Sequence, residues 1–133
     1  MKLVNQLLAG VHIATAAEAM AFAAHINLDT SYTFEMIRKT EGWSWMFENR
    51  VPQMLTADWT PFSAMGIFVK DLGIVLEETR RLSQYSPMAS GAYALYLWGA
   101  SRGWTRDADA SIVRFWEEAG STVASHTERQ ENL

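Results

Sequence analysis

Lys2, Asn5 and Gln6 open a segment that is otherwise apolar or small almost to residue 26. On a helical wheel at about 100° per residue, Asn5, Ala9 and His12 fall within roughly 80° of Lys2, with Gln6 on the other flank. This spacing gives one polar face on a helix that is core elsewhere. A lysine there could serve as a general acid/base. Taking an ammonium out of water disfavours its charged form, drawing a group normally near about 10.4 toward a range where it can accept a hydroxyl proton. An amide such as Asn5 both donates and accepts, so it can hold a hydroxyl for transfer. Neither side chain can carry a hydride, and that task requires a cofactor. A plain reading competes: a solvated first turn, with His12 a satisfied polar residue.

A second candidate is "FVKDLGIVL", where Lys70 and Asp71 interrupt an apolar helix. Charged residues in such a place keep to an exposed face or find a partner. A third, "KTEGWSWMFENR", gathers Thr40, Gly42, Ser44, Asn49 and Arg50 around Trp43 and Trp45, which as aromatics also suit a core or an interface. Other chemistries lack their signatures. His12, His25 and His126 have no metal-ligand spacing, so no metal site is expected, and the eight glycines form neither GxGxxG nor a P-loop.

The elements that must position these residues read as helices. Residues 2 to about 26 form a long helix, apolar most of the way round, and therefore central. Asp29 or Thr30 caps a short helix through Met36 and Ile37, with Gly42 to end it. Ser44 opens another, interrupted before Pro52. From about Ser63 to Ser83, Ile67, Phe68, Leu72, Val75, Leu76 and Leu82 recur at helical steps. Pro87 sits in the first turn of the next helix, with Ser86 as cap and Gly103 at its end. Asp107 or Asp109 starts a final helix that Gly120 stops. In "GASRG", Gly99 and Gly103 suit close packing and a helix end. No run alternates as a strand does, so the class is all-α, with five to seven helices packed around the apolar N-terminal one. Residues 1–120 make one domain and 121–133 a polar, fraying tail.

With 133 residues, 49% hydrophobic and 20% charged, the chain can bury a core of its own. Its net charge of −4 and scattered basic residues argue against nucleic acid as a partner. A chain without cysteine suits a reducing cytosol, and a cytoplasmic location is expected. Met1-Lys2 and Ala17-Glu18-Ala19 imitate a signal peptide, but Asn5, Gln6 and His12 break the apolar run such a signal needs. The same breaks argue against a span of 18 or more uncharged apolar residues, so no membrane partner is expected.

Taken together, "KLVNQLLAGVHIATAAEAMAFA", "SWMFENRVPQML" and "FVKDLGIVLEE" resemble the C-terminal helical domain of the β-hydroxyacid dehydrogenases, the superfamily that includes 6-phosphogluconate dehydrogenase. The resemblance runs from Lys2 to about Glu118, and "SWMFENRVPQML" is most similar to the threonate-dehydrogenase-like branch. It implies that Lys2 is the catalytic acid/base, that Asn5 and Gln6 bind substrate, and that Lys70, followed by Asp71, lies near the cofactor, NAD or NADP. It also implies a small hydroxy acid as substrate, a homodimer or higher homo-oligomer, and a Rossmann domain that 133 residues cannot also hold, missing or separately encoded. By itself the chain is expected to be inactive. Two positions depart from the pattern: Trp43 where a small or polar residue is expected, and Gly66 where relatives often carry an acid. The rival reading is a free-standing helical dimerisation or interaction module that has lost catalysis.

Overall fold

Alanine and glycine decide where the long first helix sits. In the computed structural model, which describes residues 1–120 and 122–124, α1 spans Lys2–His25 and buries Ala9, Ile13, Ala16, Ala17 and Met20 along one stripe. Small side chains let neighbouring helices approach its backbone. A Cβ on Gly10 would stand 3.0 Å from the Phe68 ring and 3.1 Å from Leu72, and the Tyr96 hydroxyl donates to the Gly10 carbonyl at 2.8 Å. Averaged over 18 residues, the hydropathy of α1 reaches that of a membrane span, although His12 and Glu18 keep any such window from being an uninterrupted apolar run. Half of that stretch is buried against protein, as befits the central helix of a bundle.

The remaining elements are α2 (Thr30–Ile37), α3 (Trp45–Thr56), α4 (Met65–Arg81), α5 (Pro87–Ser101), a 3₁₀ turn (Asp109–Val113) and α6 (Arg114–Glu117). Among the described residues there is no strand, only an isolated bridge between Ala64 and Ala108. The all-helical expectation holds. Asp29 caps α2 by accepting from Tyr32 N at 2.7 Å, and Ser44 caps α3 by accepting from Phe47 N at 2.9 Å. Helix α2 ends at Ile37, as expected, and Gly42 lies in the turn that follows.

Three local expectations give way to tertiary packing. Helix α3 continues through Pro52, although an interior proline costs a helix about 3 kcal/mol. Burial of Phe47, Val51, Met54 and Leu55 along one side offsets that loss. The final helix is divided: Asp109 to Val113 are all buried, which an amphipathic surface helix cannot achieve, and the chain tightens into a 3₁₀ turn before α6. Of the expected tail, Thr122–Ala124 are described. There Val123 is fully buried and its carbonyl accepts from Thr30 Oγ1 at 2.8 Å, so core packing reaches past Gly120. His126 lies outside the described residues.

Helix α4 begins without a side-chain cap. Its first N–H groups instead donate to a passing stretch of backbone, Met65 N to Asp107 O at 2.8 Å and Gly66 N to Thr105 O at 3.0 Å. A Cβ at residue 66 would meet that Thr105 carbonyl at 3.2 Å, which gives Gly66 a packing reason. Nearby, Arg50 Nε lies 2.9 Å from Asp109 Oδ1 in a buried ion pair, while Asp109 Oδ2 has no hydrogen-bond partner among the described residues. Burial pushes the Asp109 carboxyl above the ordinary carboxylate range, with Arg50 pulling it back.

Two outcomes test this packing. A Cβ at Gly99 would fall 2.2 Å from Met65 Sδ, so Gly99→Ala should lower stability in urea by about 1–3 kcal/mol, the scale of core overpacking. An unchanged midpoint would contradict it. The folded state holds the Asp109 proton more tightly than the unfolded chain does. Its contribution therefore favours folding below the ordinary carboxylate pKa and is lost as pH rises through the raised value. Stability curves from about pH 3 to 7 should show the parent protein losing ground to Asp109→Asn as pH rises; a gap that is constant, or that moves the other way, would count against it.

Candidate functional site

The first two turns of α1 project beyond the core. The stripe that is buried at Ala9 and Ile13 is occupied there by exposed Lys2, exposed Asn5 and half-buried Gln6. Helix α4 packs alongside and brings Lys70 and Asp71 to the same end. Gln6 Nε2 donates to Asp71 Oδ2 at 2.8 Å, joining residues 65 positions apart. Lys70 Nζ lies 3.5 Å from Asp71 Oδ1, and Asn5 Nδ2 donates to Gln6 Oε1 at 3.2 Å.

Four of the five residues singled out in the sequence thus form one connected cluster. Lys2 stands one turn away on the same face and makes no hydrogen bond or ion pair among the described residues. Burial differs sharply within the group: the Asp71 carboxylate is 6% exposed, whereas the Lys70 side chain is 64% exposed and reaches solvent. Two ammonium groups and one carboxylate leave the cluster net positive, and the N-terminal end of α1 adds the positive pole of the helix dipole. Such a field suits a small anion, a carboxylate in particular. Because Lys2 is exposed, this domain's own packing does not supply the desolvation that an acid/base lysine needs.

The aromatic stretch lies apart from this cluster. Trp43 Nε1 donates to Glu48 Oε1 at 3.2 Å, and Glu48 also receives Arg38 Nε at 3.1 Å. These two donors hold the Glu48 carboxyl below its usual range. His12 lines a small groove of about 210 Å³ with Trp43, Ser44 and Phe47, further along α1. A larger groove of about 530 Å³ runs between the end of α4 and the start of α5. Among the described residues, no three His, Asp or Glu side chains gather where they could hold a metal ion. Sequence reasoning missed the Arg50–Asp109 pair. The partners are 59 residues apart, and no local pattern links them.

Fold and cluster together define a class: an all-helical domain whose polar residues are gathered at one end of a central helix and remain open on one side. Residues 1–116 match the family described as NAD-binding of NADP-dependent 3-hydroxyisobutyrate dehydrogenase, and the chain belongs to that family of β-hydroxyacid dehydrogenase helical domains. It is 42% identical to L-threonate dehydrogenase of Cupriavidus necator over 116 residues, which cover 87% of this chain and 39% of the relative. It also superposes on the crystal structure of 3-hydroxyisobutyrate dehydrogenase from Salmonella typhimurium with a TM-score of 0.84 and 40% identity, over 86% of this chain and 40% of that one. At 18% identity and a TM-score of 0.75, over 86% of this chain and 41% of the other, the 3-hydroxyisobutyrate dehydrogenase of Mycobacterium tuberculosis shares the fold. The chain spans about two fifths of the length of these relatives.

Proposed function

We propose that this chain is the substrate-side helical domain of an NAD(P)-dependent dehydrogenase of small 3-hydroxy acids, akin to the threonate and 3-hydroxyisobutyrate enzymes, and that it works against a Rossmann domain on the same or a separate polypeptide. The observation that carries this reading is the Gln6–Asp71 hydrogen bond, which ties the Lys-x-x-Asn-Gln opening of α1 to the Lys-Asp pair of α4. The nicotinamide, when bound, supplies the hydride acceptor. Lys2 takes the substrate hydroxyl proton during oxidation and returns it during reduction. Asn5, backed by Gln6, holds the hydroxyl in line, and the positive charge of Lys70 receives the substrate carboxylate. The exposed ammonium of Lys70, anchored at its Asp71 side, fits an anionic cofactor or substrate group at the domain boundary. Closure by the second domain would exclude water around Lys2.

The same reading makes the chain part of a cytoplasmic homodimer or higher homo-oligomer. Helix α5 has no charged residue between Pro87 and Ser101, and Met88 and Leu97 on it are exposed, as are Val4, Leu8 and Phe22 on α1. Exposed apolar side chains of this kind favour association.

Assembled with a Rossmann domain, the chain should oxidise a 3-hydroxy acid with NAD or NADP, and Lys2→Ala should lower turnover about 10²–10⁴-fold with the helical circular dichroism unchanged. Turnover by the 133-residue chain alone, or retained activity in Lys2→Ala, would contradict the proposal. Sedimentation at tens of micromolar should show a dimer or larger species; a clean monomer would remove the association.

A further inference from the structure

From the half-satisfied fork of a buried arginine, we infer that Arg50 is the floor of a second binding site, which takes the carboxylate of a small monoanionic acid where α3, the 3₁₀ turn and the connector before α4 meet. The site shares no residue with the Lys2–Lys70 cluster and is independent of the dehydrogenase reading.

Arg50 is the one buried cation among the described residues, its side chain 8% exposed. A guanidinium carries several N–H donors and no acceptor. Asp109 takes one of them, Nε–H to Oδ1 at 2.9 Å, while Nη1 and Nη2 make no hydrogen bond among the described residues. Donors left in this way are costly, because burial removes water that nothing replaces. The buried side-chain atoms without a hydrogen-bond partner among the described residues gather at the same junction: Gln53 Oε1 on α3, and Asp109 Oδ2 and Ser111 Oγ on the 3₁₀ turn. Here the domain's own groups leave the polar bonding incomplete, which marks a place for an added one.

The surroundings of the fork are held firmly. Gln53, one turn on from Arg50, donates from Nε2 to Asp58 O at 3.2 Å and to Thr60 O at 2.7 Å. Trp59 O and Ser63 O accept from the Ala108 and Asp109 amides, each at 2.9 Å. The connector is thereby fixed on both sides of Phe62, whose ring centroid stands 5.6 Å from the guanidinium carbon of Arg50. Phe62 itself is 76% exposed, a large apolar ring kept at the surface above a cation. With the face of the guanidinium covered by the ring, the in-plane edge bearing Nη1 and Nη2 is the side open to a ligand. Paired N–H groups on such an edge match the two oxygens of a carboxylate.

Charge selects among anions. Arg50 and Asp109 together are neutral, so a monocarboxylate adds one negative charge to the junction and a phosphate dianion adds two. The larger charge costs more where screening is poor. Asp109 therefore acts in two directions: it aims the fork by holding Nε, and it weakens the fork by sharing its charge.

In the 15N-labelled 133-residue chain, acetate is the smallest carboxylate probe and inorganic phosphate the competing oxyanion. Acetate should move the Arg50 Nε–H resonance along a saturating curve, without such shifts at exposed Arg38 and Arg81, and phosphate should bind more weakly. Asp109→Asn keeps an acceptor for Nε and removes the opposing charge, so acetate should bind about tenfold more tightly there, the scale of one hydrogen bond to a charged group. Arg50→Lys keeps the charge without the fork and should lose saturable binding; if that variant does not fold, the Asp109→Asn comparison still decides. An Arg50 resonance that acetate leaves unmoved, phosphate binding tighter than acetate, or equal acetate affinity in the parent chain and Asp109→Asn would each overturn the site. No Rossmann domain or nicotinamide enters this titration, so its failure leaves the dehydrogenase reading standing.

Discussion

The distance between α1 and α4 governs both the core and the candidate site. Gly10 faces Phe68 and Leu72 at the limit of contact, and one turn earlier on α1 Gln6 meets Asp71, the neighbour of Leu72 on α4. The same line of approach thus carries a hydrophobic contact at one level and a polar one at the next. A bulkier residue at position 10 would lift α4 away and stretch the Gln6–Asp71 bond along with the packing. Tyr96 holds the arrangement from the third side: its ring stacks on Phe68 with centroids 5.2 Å apart, and its hydroxyl donates to Gly10 O. Burial raises that hydroxyl well above the usual tyrosine range, which keeps it a donor.

Among the described residues two acidic side chains are buried, and their surroundings differ. Asp109 is fully enclosed, paired with Arg50 beneath the Phe62 ring, and pins the 3₁₀ turn to α3. In a pair so enclosed, desolvation offsets much of the attraction. Asp71 is enclosed on its core side only. Its partners are an amide and a lysine that reaches solvent, and those partners lead toward the surface.

Much of this organisation was legible in the residues themselves. The small-sided α1 and the three- and four-residue rhythm of α4 are strong local signals, and Asp29 and Ser44 cap as their types suggest. Lys70 and Asp71 stood out because charge inside an apolar helix demands a partner, and Asp71 has one in Gln6. What remained hidden depended on distant chain segments. The persistence of α3 through Pro52 needs the surface that Phe47, Val51 and Met54 cover. The split of the last helix needs the buried contact of Asp109 with Arg50, and the glycine at position 66 is explained only by the Thr105 carbonyl against it. Trp43 offered an aromatic in a polar stretch, but its indole is engaged with Glu48, away from the Lys2 end of α1.

The most direct test of the account is complementation: titrate the purified 133-residue chain into a Rossmann domain of the same family, with NADP and L-threonate or 3-hydroxyisobutyrate present, and follow reduced nicotinamide by absorbance. The account predicts signal that rises with added chain until the two domains are matched and that is missing with either domain alone. Equal signal without the chain, or none from the pair when they sediment as a complex, would contradict it.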